Sequence, residues 1–196
     1  MPQDLHVEHV YPAQAHPSLA TQWKNFLVAC NTCNTYKRLH LGDGRQRSLL
    51  MRYLWPHIDN TAIAFQYKST GAVEIAASVP PHLRRAAELT RDMSGLMRSP
   101  AKAANYAALG VAYDGISQRS EVWRQALGFR QMFLSNPTAF NATMIADGAS
   151  SIGHFSVWME VFRDRPDVRR ELIRAFKADQ NCFDPATTAP VAKGRL

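Results

Sequence analysis

The residues near the start of the chain that can do chemistry are an acid, a histidine and two asparagines. Glu8 and His9 are adjacent in the segment HVEHVYP, and Asn25 and Asn34 follow. Hydrolysis of a phosphodiester needs a base to deprotonate water and a cation to neutralise charge on the phosphate. A histidine titrates near neutral pH and suits the base, whereas carboxylate and amide oxygens suit Mg²⁺ or Mn²⁺. Glu8, His9 and Asn34 therefore supply the groups that metal-assisted phosphodiester hydrolysis requires.

The elements around these residues must bring them together. The segment LHVEHV, residues 5–10, alternates in polarity as a short strand does. Neighbouring residues of a strand point to opposite faces, so Glu8 and His9 can meet at one site only where the strand ends or bulges. The VYP that follows predicts such an end, and His6 is expected on the face opposite His9.

The next segments predict a second strand, a helix and a hairpin. NFLVA, residues 25–29, is strand-like and leads into a turn bounded by Cys30 and Cys33, after which a helix is predicted from Thr32. The glycines of LGDG, residues 41–44, interrupt the pattern. TAIAFQY and GAVEIAAS then predict a β-hairpin with its turn at residues 69–71.

Beyond VPP the pattern becomes helical. Three stripes of apolar residues have helical spacing: Ala86, Leu89, Met93 and Leu96; Val122, Ala126, Phe129 and Phe133; and Val168, Leu172 and Phe176. Such stripes are typical of helices that face a core. Trp158 is expected in that core, and a tryptophan placed like Trp23 is most often a core anchor as well.

The segments EHVYP, WKNFLVAC and CNTCNTYK together resemble the HNH endonucleases of the ββα-metal type. The resemblance implies that His9 is the general base, that Glu8 is a metal ligand, and that the Asn25 side chain braces the loop between the strands. The resemblance also implies that Asn34 is the second metal ligand, at a position where the family has either histidine or asparagine. The expected cofactor is Mg²⁺ or Mn²⁺, and the expected substrate is DNA.

Two basic residues follow Asn34 on the predicted helix. Lys37 and Arg38 lie three and four positions later, which places them on the same helical face, where they can contact a phosphate. The whole chain has 23 Lys and Arg against 16 Asp and Glu, a formal charge of +7. A basic chain suits a partner rich in phosphate.

Cys30 and Cys33 are half of a zinc site. Many HNH proteins carry another Cys-x-x-Cys before the acid-His strand, and the two pairs together hold Zn²⁺. That upstream pair is missing here. The dithiol is therefore the remnant of a shortened or misassigned start, which we favour, or half of a site completed by Cys182 or a histidine, or a metal-free pair held by packing.

These patterns predict an α+β chain with three parts: a ββα-metal nuclease module at residues 1–44, a β-hairpin with a mainly α-helical accessory region at 45–185, and a loose tail at 186–196. With 196 residues, of which 46% are hydrophobic, the chain can bury a substantial core. No segment approaches the roughly 20 apolar residues of a membrane span, so we expect a cytoplasmic protein without a membrane partner.

The accessory region resembles, more diffusely, the helical part of HNH subunits in bacterial anti-phage systems, the Septu and retron-associated nucleases. This resemblance implies a defence nuclease that acts with an ATPase subunit. One finger makes one cut, so a double-strand break needs a homodimer or two events. The alternative is a catalytically inactive nucleic-acid-binding or scaffold subunit that keeps the ββα finger for its shape.

Overall fold

The computed structural model describes residues 5–41, 49–99 and 114–196, and the predicted α+β class is confirmed. The described residues contain two small antiparallel sheets and eight α-helices. The strands are β1 (Leu5–His9), β2 (Phe26–Cys30), β3 (Phe65–Tyr67) and β4 (Val73–Ile75). The helices are α1 (Asn31–Leu41), α2 (Leu49–Arg52), α3 (Thr61–Ala64), α4 (Pro81–Met93), α5 (Gly115–Ser135), α6 (Ala139–Ile152), α7 (Phe155–Val161) and α8 (Pro166–Ala175).

The N-terminal part has a ββα arrangement. β1 and β2 pair with Leu5 opposite Cys30 and His9 opposite Phe26. α1 follows β2 directly and packs against both strands. Because paired residues of an antiparallel sheet share a face, His9 and Phe26 lie together on one face, and Glu8 lies on the other. The strand stays paired through His9, so the expected convergence of Glu8 and His9 at a strand end is not observed.

The ββα unit shares its core with later parts of the chain. Val10 and Leu41 are buried in one cluster with Tyr53, Trp55 and Met93. The last of these belongs to α4, which packs on α1. The accessory region thus supports the N-terminal unit by apolar contact. The predicted boundary at residues 44 and 45 lies outside the described residues.

The predicted hairpin is present, although it begins later than expected. Residues 61–64 form the short helix α3 because the Asn60 side-chain oxygen accepts a hydrogen bond from Ala62 N at 3.1 Å and caps it. Only Phe65–Tyr67 and Val73–Ile75 pair as β3 and β4. Gly71, with φ 81°, supplies the left-handed residue of the turn.

The helical portion has its own core, in which α6 packs against α8 and α5 against α7. Phe133 and Trp158 are 1% and 0% exposed, so the expected core position of Trp158 is confirmed. Trp123 and Phe155 pack against the same cluster and are partly buried. Among the described helices, none combines the length and apolar character needed to cross a membrane.

The C-terminal residues differ from the expected loose tail. Thr188 is 2% exposed, and Lys193 O accepts a hydrogen bond from Asn60 N at 3.1 Å. Arg195 Nη2 lies 2.7 Å from Oδ2 of the fully buried Asp59. The tail is fixed because its polar groups pair with buried groups far earlier in the chain, which its small and polar composition does not reveal.

Candidate active site

Asn25 closes the loop between β1 and β2. Its side chain is 2% exposed, and its Oδ1 accepts a hydrogen bond from Tyr11 N at 2.7 Å. Its Nδ2 donates to Tyr11 O and Leu19 O, both at 3.0 Å. The backbone adds a bond from Val10 N to Asn25 O at 2.8 Å. The amide thus holds both ends of the loop in the position where the resemblance expects a brace.

His9 is oriented by this loop. Its Nε2 lies 2.9 Å from Ala20 O, and its ring meets Phe26 edge to face at 5.2 Å between centroids. A carbonyl oxygen only accepts hydrogen bonds, so Nε2 carries the hydrogen. In the neutral ring Nδ1 then holds the free lone pair that a general base needs. No sequence pattern identifies Ala20 as the orienting residue, because every residue has a carbonyl.

Glu8 points toward α1 and contacts Lys37. Lys37 Nζ lies 2.7 Å from Glu8 Oε1 and also donates to His9 O. The Lys37 side chain is 8% exposed and the Glu8 side chain is 17% exposed. Burial lowers the pKa of Lys37, and the Glu8 carboxylate offsets part of that effect. Lys37 was expected to face a phosphate, whereas here it is turned inward and neutralises Glu8.

Asn34 presents an unsatisfied oxygen. Its Oδ1 is buried and accepts no hydrogen bond from any described residue. Leaving such an acceptor unpaired costs about 1–3 kcal/mol, and groups of this kind in a native fold often have a functional reason. Asn34 lies three residues before Lys37 on α1, on the side that Lys37 turns toward β1.

The residues present fit a weakly held divalent cation. Glu8 and Asn34 offer hard oxygen ligands, and Mg²⁺ commonly takes one or two protein ligands and completes its shell with water and substrate phosphate. In the part of the chain that the structure describes, no group of three or more His, Cys, Asp or Glu could hold a metal ion. A cation at Glu8 must exchange with the Lys37 ammonium or share the carboxylate with it.

Arg38 follows Lys37 on α1, and its guanidinium has no ion-pair partner among the described residues. It is exposed and forms no hydrogen bond or ion pair with another described residue. A guanidinium in this position can contact a phosphate on the nucleic-acid backbone. The expected phosphate contact therefore stays a prediction for Arg38.

Cys30 and Cys33 face each other at the start of α1. Cys33 N donates to Cys30 Sγ at 3.4 Å. The hydrogen bond from the Cys33 thiol lowers the pKa of Cys30 to about 6, and the same contact raises the pKa of Cys33. The positive charge of Arg98, which is 5% exposed, acts on both sulfurs. The sequence offers no signal for Arg98, which lies more than sixty residues later in the chain.

The structure brings no third zinc ligand to this pair within the described residues. Cys182 instead lies beside Asp179 and Lys193, at 3.8 Å and 3.9 Å from its Sγ. Completion of a zinc site by Cys182 is therefore unsupported. Completion of the pair by a histidine is likewise not seen among the described residues.

Trp23 differs from the expected core anchor, because its side chain is 86% exposed. The adjacent Lys24 is exposed as well. Both belong to a 3₁₀ turn, Trp23–Asn25, whose last residue is the loop brace.

Comparison with known proteins identifies no relative: no family model, curated protein or solved structure matches the chain.

Proposed function

We propose that the chain is a metal-dependent endonuclease of the HNH type that hydrolyses phosphodiester bonds in DNA. The observation that carries this proposal is the fixed ring of His9. Its Nε2 is bonded to Ala20 O in a loop braced by Asn25, which leaves Nδ1 available as a base at the end of β1, one residue after Glu8. The buried, unpaired Asn34 oxygen supports a cation near the same strand.

The residues divide the work of hydrolysis among them. His9 Nδ1 takes a proton from the water that attacks phosphorus, while Ala20 O keeps the ring oriented. Glu8 and Asn34 would hold a divalent cation, which when bound neutralises charge on the phosphate and the departing 3′ oxygen. Arg38 contacts a flanking phosphate and positions the backbone without reading its sequence.

The inactive nucleic-acid-binding or scaffold subunit is the second candidate, and the Glu8–Lys37 pair favours it. The ammonium lies 2.7 Å from the carboxylate that the cation needs. If Lys37 stays paired with Glu8, this ion pair, instead of a metal ion, would hold the end of β1 to α1. In an active nuclease, a divalent cation would have to compete with this ammonium for Glu8. Burial lowers the pKa of Lys37 and so disfavours the charged form that pairs with the carboxylate.

We further propose a cytoplasmic anti-phage role with an ATPase partner, which rests on the resemblance of the accessory region. A nuclease that contacts DNA by shape and charge needs restraint in its host. Co-expression with the products of neighbouring genes, followed by size-exclusion chromatography, tests this role. A monomer that cuts at full rate and ignores every neighbour would defeat the partner proposal and leave the nuclease proposal intact.

The nuclease activity is tested on plasmid DNA with Mg²⁺ or Mn²⁺. His9→Ala is expected to lose about a hundredfold or more in rate. His6→Ala is the matched control, since His6 belongs to the same strand, is exposed and points to the other face. A wild-type cleavage rate in His9→Ala, or an equal loss of rate in His9→Ala and His6→Ala, would contradict the mechanism.

Lys37→Met separates the two candidate functions. It keeps an apolar stem of similar length and removes the charge that competes for Glu8. If the site binds metal, calorimetric titration with Mn²⁺ should show tighter binding in Lys37→Met than in the wild type. If neither protein binds Mn²⁺ and neither cuts DNA, the inactive subunit is the better description.

A further inference from the structure

The outer face of the β1–β2 sheet carries an exposed apolar and aromatic surface. Three aliphatic side chains on this face are 66–70% exposed: Leu5, Val7 and Val28. Trp23 adds an indole that is 86% exposed. Exposed apolar surface of this extent usually marks a contact with another molecule.

The rings of Trp23, Phe26 and His9 form a row on this surface that ends at His9, the proposed general base. Trp23 meets Phe26 edge to face with 5.6 Å between ring centroids and an angle of 89°. Phe26 meets His9 in the same way at 5.2 Å. A ring that is clamped at its edge and open on its faces is arranged to receive another flat ring by stacking.

The backbone under Trp23 is also held in place. Trp23 begins the 3₁₀ turn, and Asn25 N donates to Gln22 O at 2.8 Å. The Asn25 amide then ties the turn to Tyr11 and Leu19. The indole is therefore presented by a fixed turn, so that little backbone order must be gained when a ligand stacks on it.

The charge around this surface favours an anionic ligand. From Val10 to Leu41 the chain has Lys24, Lys37 and Arg38 and no Asp or Glu. Lys24, next to Trp23, is exposed and makes no hydrogen bond or ion pair with another described residue. A free cation beside an exposed aromatic ring is the combination by which proteins hold single-stranded nucleic acid.

We propose that Trp23 is a stacking platform for an unpaired base of single-stranded DNA, with Lys24 on the phosphate of that nucleotide. This proposal rests on the proposed nuclease function. The stacked nucleotide neighbours the phosphate at which His9 would deprotonate the attacking water, so the preferred substrate is single-stranded or locally unpaired DNA. The aliphatic part of the surface alone would suit a protein partner equally well. The ring row and the unpaired cation select DNA.

Binding of a labelled short oligothymidine, measured by fluorescence anisotropy in EDTA, tests the platform without any cleavage. Trp23→Leu is expected to weaken binding about fivefold to a hundredfold, the equivalent of one lost base–aromatic stack. Trp23→Phe, which keeps a ring, should retain most of the affinity. A fully paired duplex of the same sequence length should lose much less in Trp23→Leu, because its bases are already stacked.

Phe140→Leu is the matched control, since Phe140 is an exposed aromatic residue of α6, 71% exposed and outside the ββα unit. It should bind the oligonucleotide as the wild type does. Trp23 is exposed, so melting temperatures should be equal in all variants. As a second readout, the oligonucleotide should quench tryptophan fluorescence in the wild type, and Trp23→Phe should lose most of that quenching.

Three results would overturn the proposal: wild-type affinity in Trp23→Leu, equal losses in Trp23→Leu and Trp23→Phe, or equal losses on single-stranded and duplex DNA. Loss of a protein partner in Trp23→Leu with unchanged DNA binding would assign the surface to that partner instead. Because binding is measured in EDTA, a platform that binds DNA without cutting it counts against the nuclease proposal alone. Cleavage with unchanged DNA affinity in Trp23→Leu counts against the platform alone.

Discussion

Asn25 and Asn34 are the same side chain in two opposite situations. The amide of Asn25 makes three hydrogen bonds to the loop that it closes. The Oδ1 of Asn34 is buried without a donor among the described residues. The first residue stabilises the fold, whereas the second lowers stability by leaving a buried acceptor unpaired.

Substitution of these two residues should therefore separate stability from activity. Asn25→Ala should lower both the melting temperature and the cleavage rate, because its removal leaves buried backbone groups unpaired at a cost of about 1–3 kcal/mol. Asn34→Ala should abolish cleavage while the melting temperature stays equal or rises. Thermal denaturation and a plasmid assay measure both. A large loss of stability in Asn34→Ala would show that its oxygen has a structural partner.

The Cys30–Cys33 pair should make both stability and thiol reactivity depend on pH. The pKa of Cys30, about 6, lies below its ordinary value of 9.0, so its thiolate contributes stability that is complete above pH 9 and is lost as the pH falls through about 6. Alkylation by iodoacetamide, followed by mass spectrometry, should show Cys30 half-maximally reactive near pH 6. Cys182 is the internal control, because burial raises its pKa.

A different pH profile would change the assignment of the pair. If Cys30 reacts only above pH 9, its sulfur is not held as a thiolate by Cys33 and Arg98. If both cysteines resist alkylation until a chelator is added, and elemental analysis finds about one zinc per chain, the pair is a zinc site after all.

At the scale of elements, the β3–β4 hairpin is joined to α5 by backbone contact. A Cβ on Gly71 would lie 1.9 Å from Ile116 O, and the φ of this residue is 81°. Arg119 Nε donates to Gly71 O at 2.7 Å. The hairpin turn can approach the helix this closely only because the residue has no side chain.

Gly71→Ala should consequently destabilise the chain by about 1–3 kcal/mol or more, through the clash and through backbone strain. Gly128→Ala is the control within α5: an added Cβ there meets nothing within 4 Å. That change should raise stability by about 0.5–1 kcal/mol, because it replaces a glycine inside a helix. Equal melting temperatures for the two variants would mean that the hairpin and α5 separate readily.

At the scale of the whole molecule, the C-terminal segment locks onto the middle of the chain. Asp59 is fully buried, and its Oδ1 accepts hydrogen bonds from Arg195 N and Nε at 3.0 Å and 3.1 Å. Burial by itself would raise the pKa of Asp59, but the Arg195 guanidinium and the Trp55 N–H outweigh burial and lower it. The pair therefore contributes stability near neutral pH that is lost as the pH falls through the lowered pKa.

Arg195→Met should cost about 3–5 kcal/mol, because it leaves the buried Asp59 carboxylate without its cation. Arg85→Met is the control, since Arg85 forms an exposed pair with Glu88 at 3.2 Å and should change stability by less than about 0.5 kcal/mol. Urea denaturation at neutral pH measures both. A small effect of Arg195→Met would mean that Asp59 takes up a proton or gains water.

The sequence by itself determined the features that depend on local spacing. Helical stripes predicted α4, α5 and α8, alternation predicted β1, the apolar segment NFLVA predicted β2, and a turn glycine predicted the β3–β4 hairpin. These succeed because the period of apolar residues reflects which face of one element is buried. The order of acid, histidine and asparagines likewise predicted a candidate site before any contact was known.

The tertiary structure alone decided which groups meet across long stretches of chain. It oriented His9 with the Ala20 carbonyl, turned Lys37 inward onto Glu8, exposed Trp23 and fixed Arg195 to Asp59. A backbone carbonyl has no signature in a sequence. A lysine or tryptophan on an element has the same identity whether that face is covered or open. Such pairings depend on how the elements pack, and the periodicity within one element carries no information about partners that lie 11, 29 or 136 residues away.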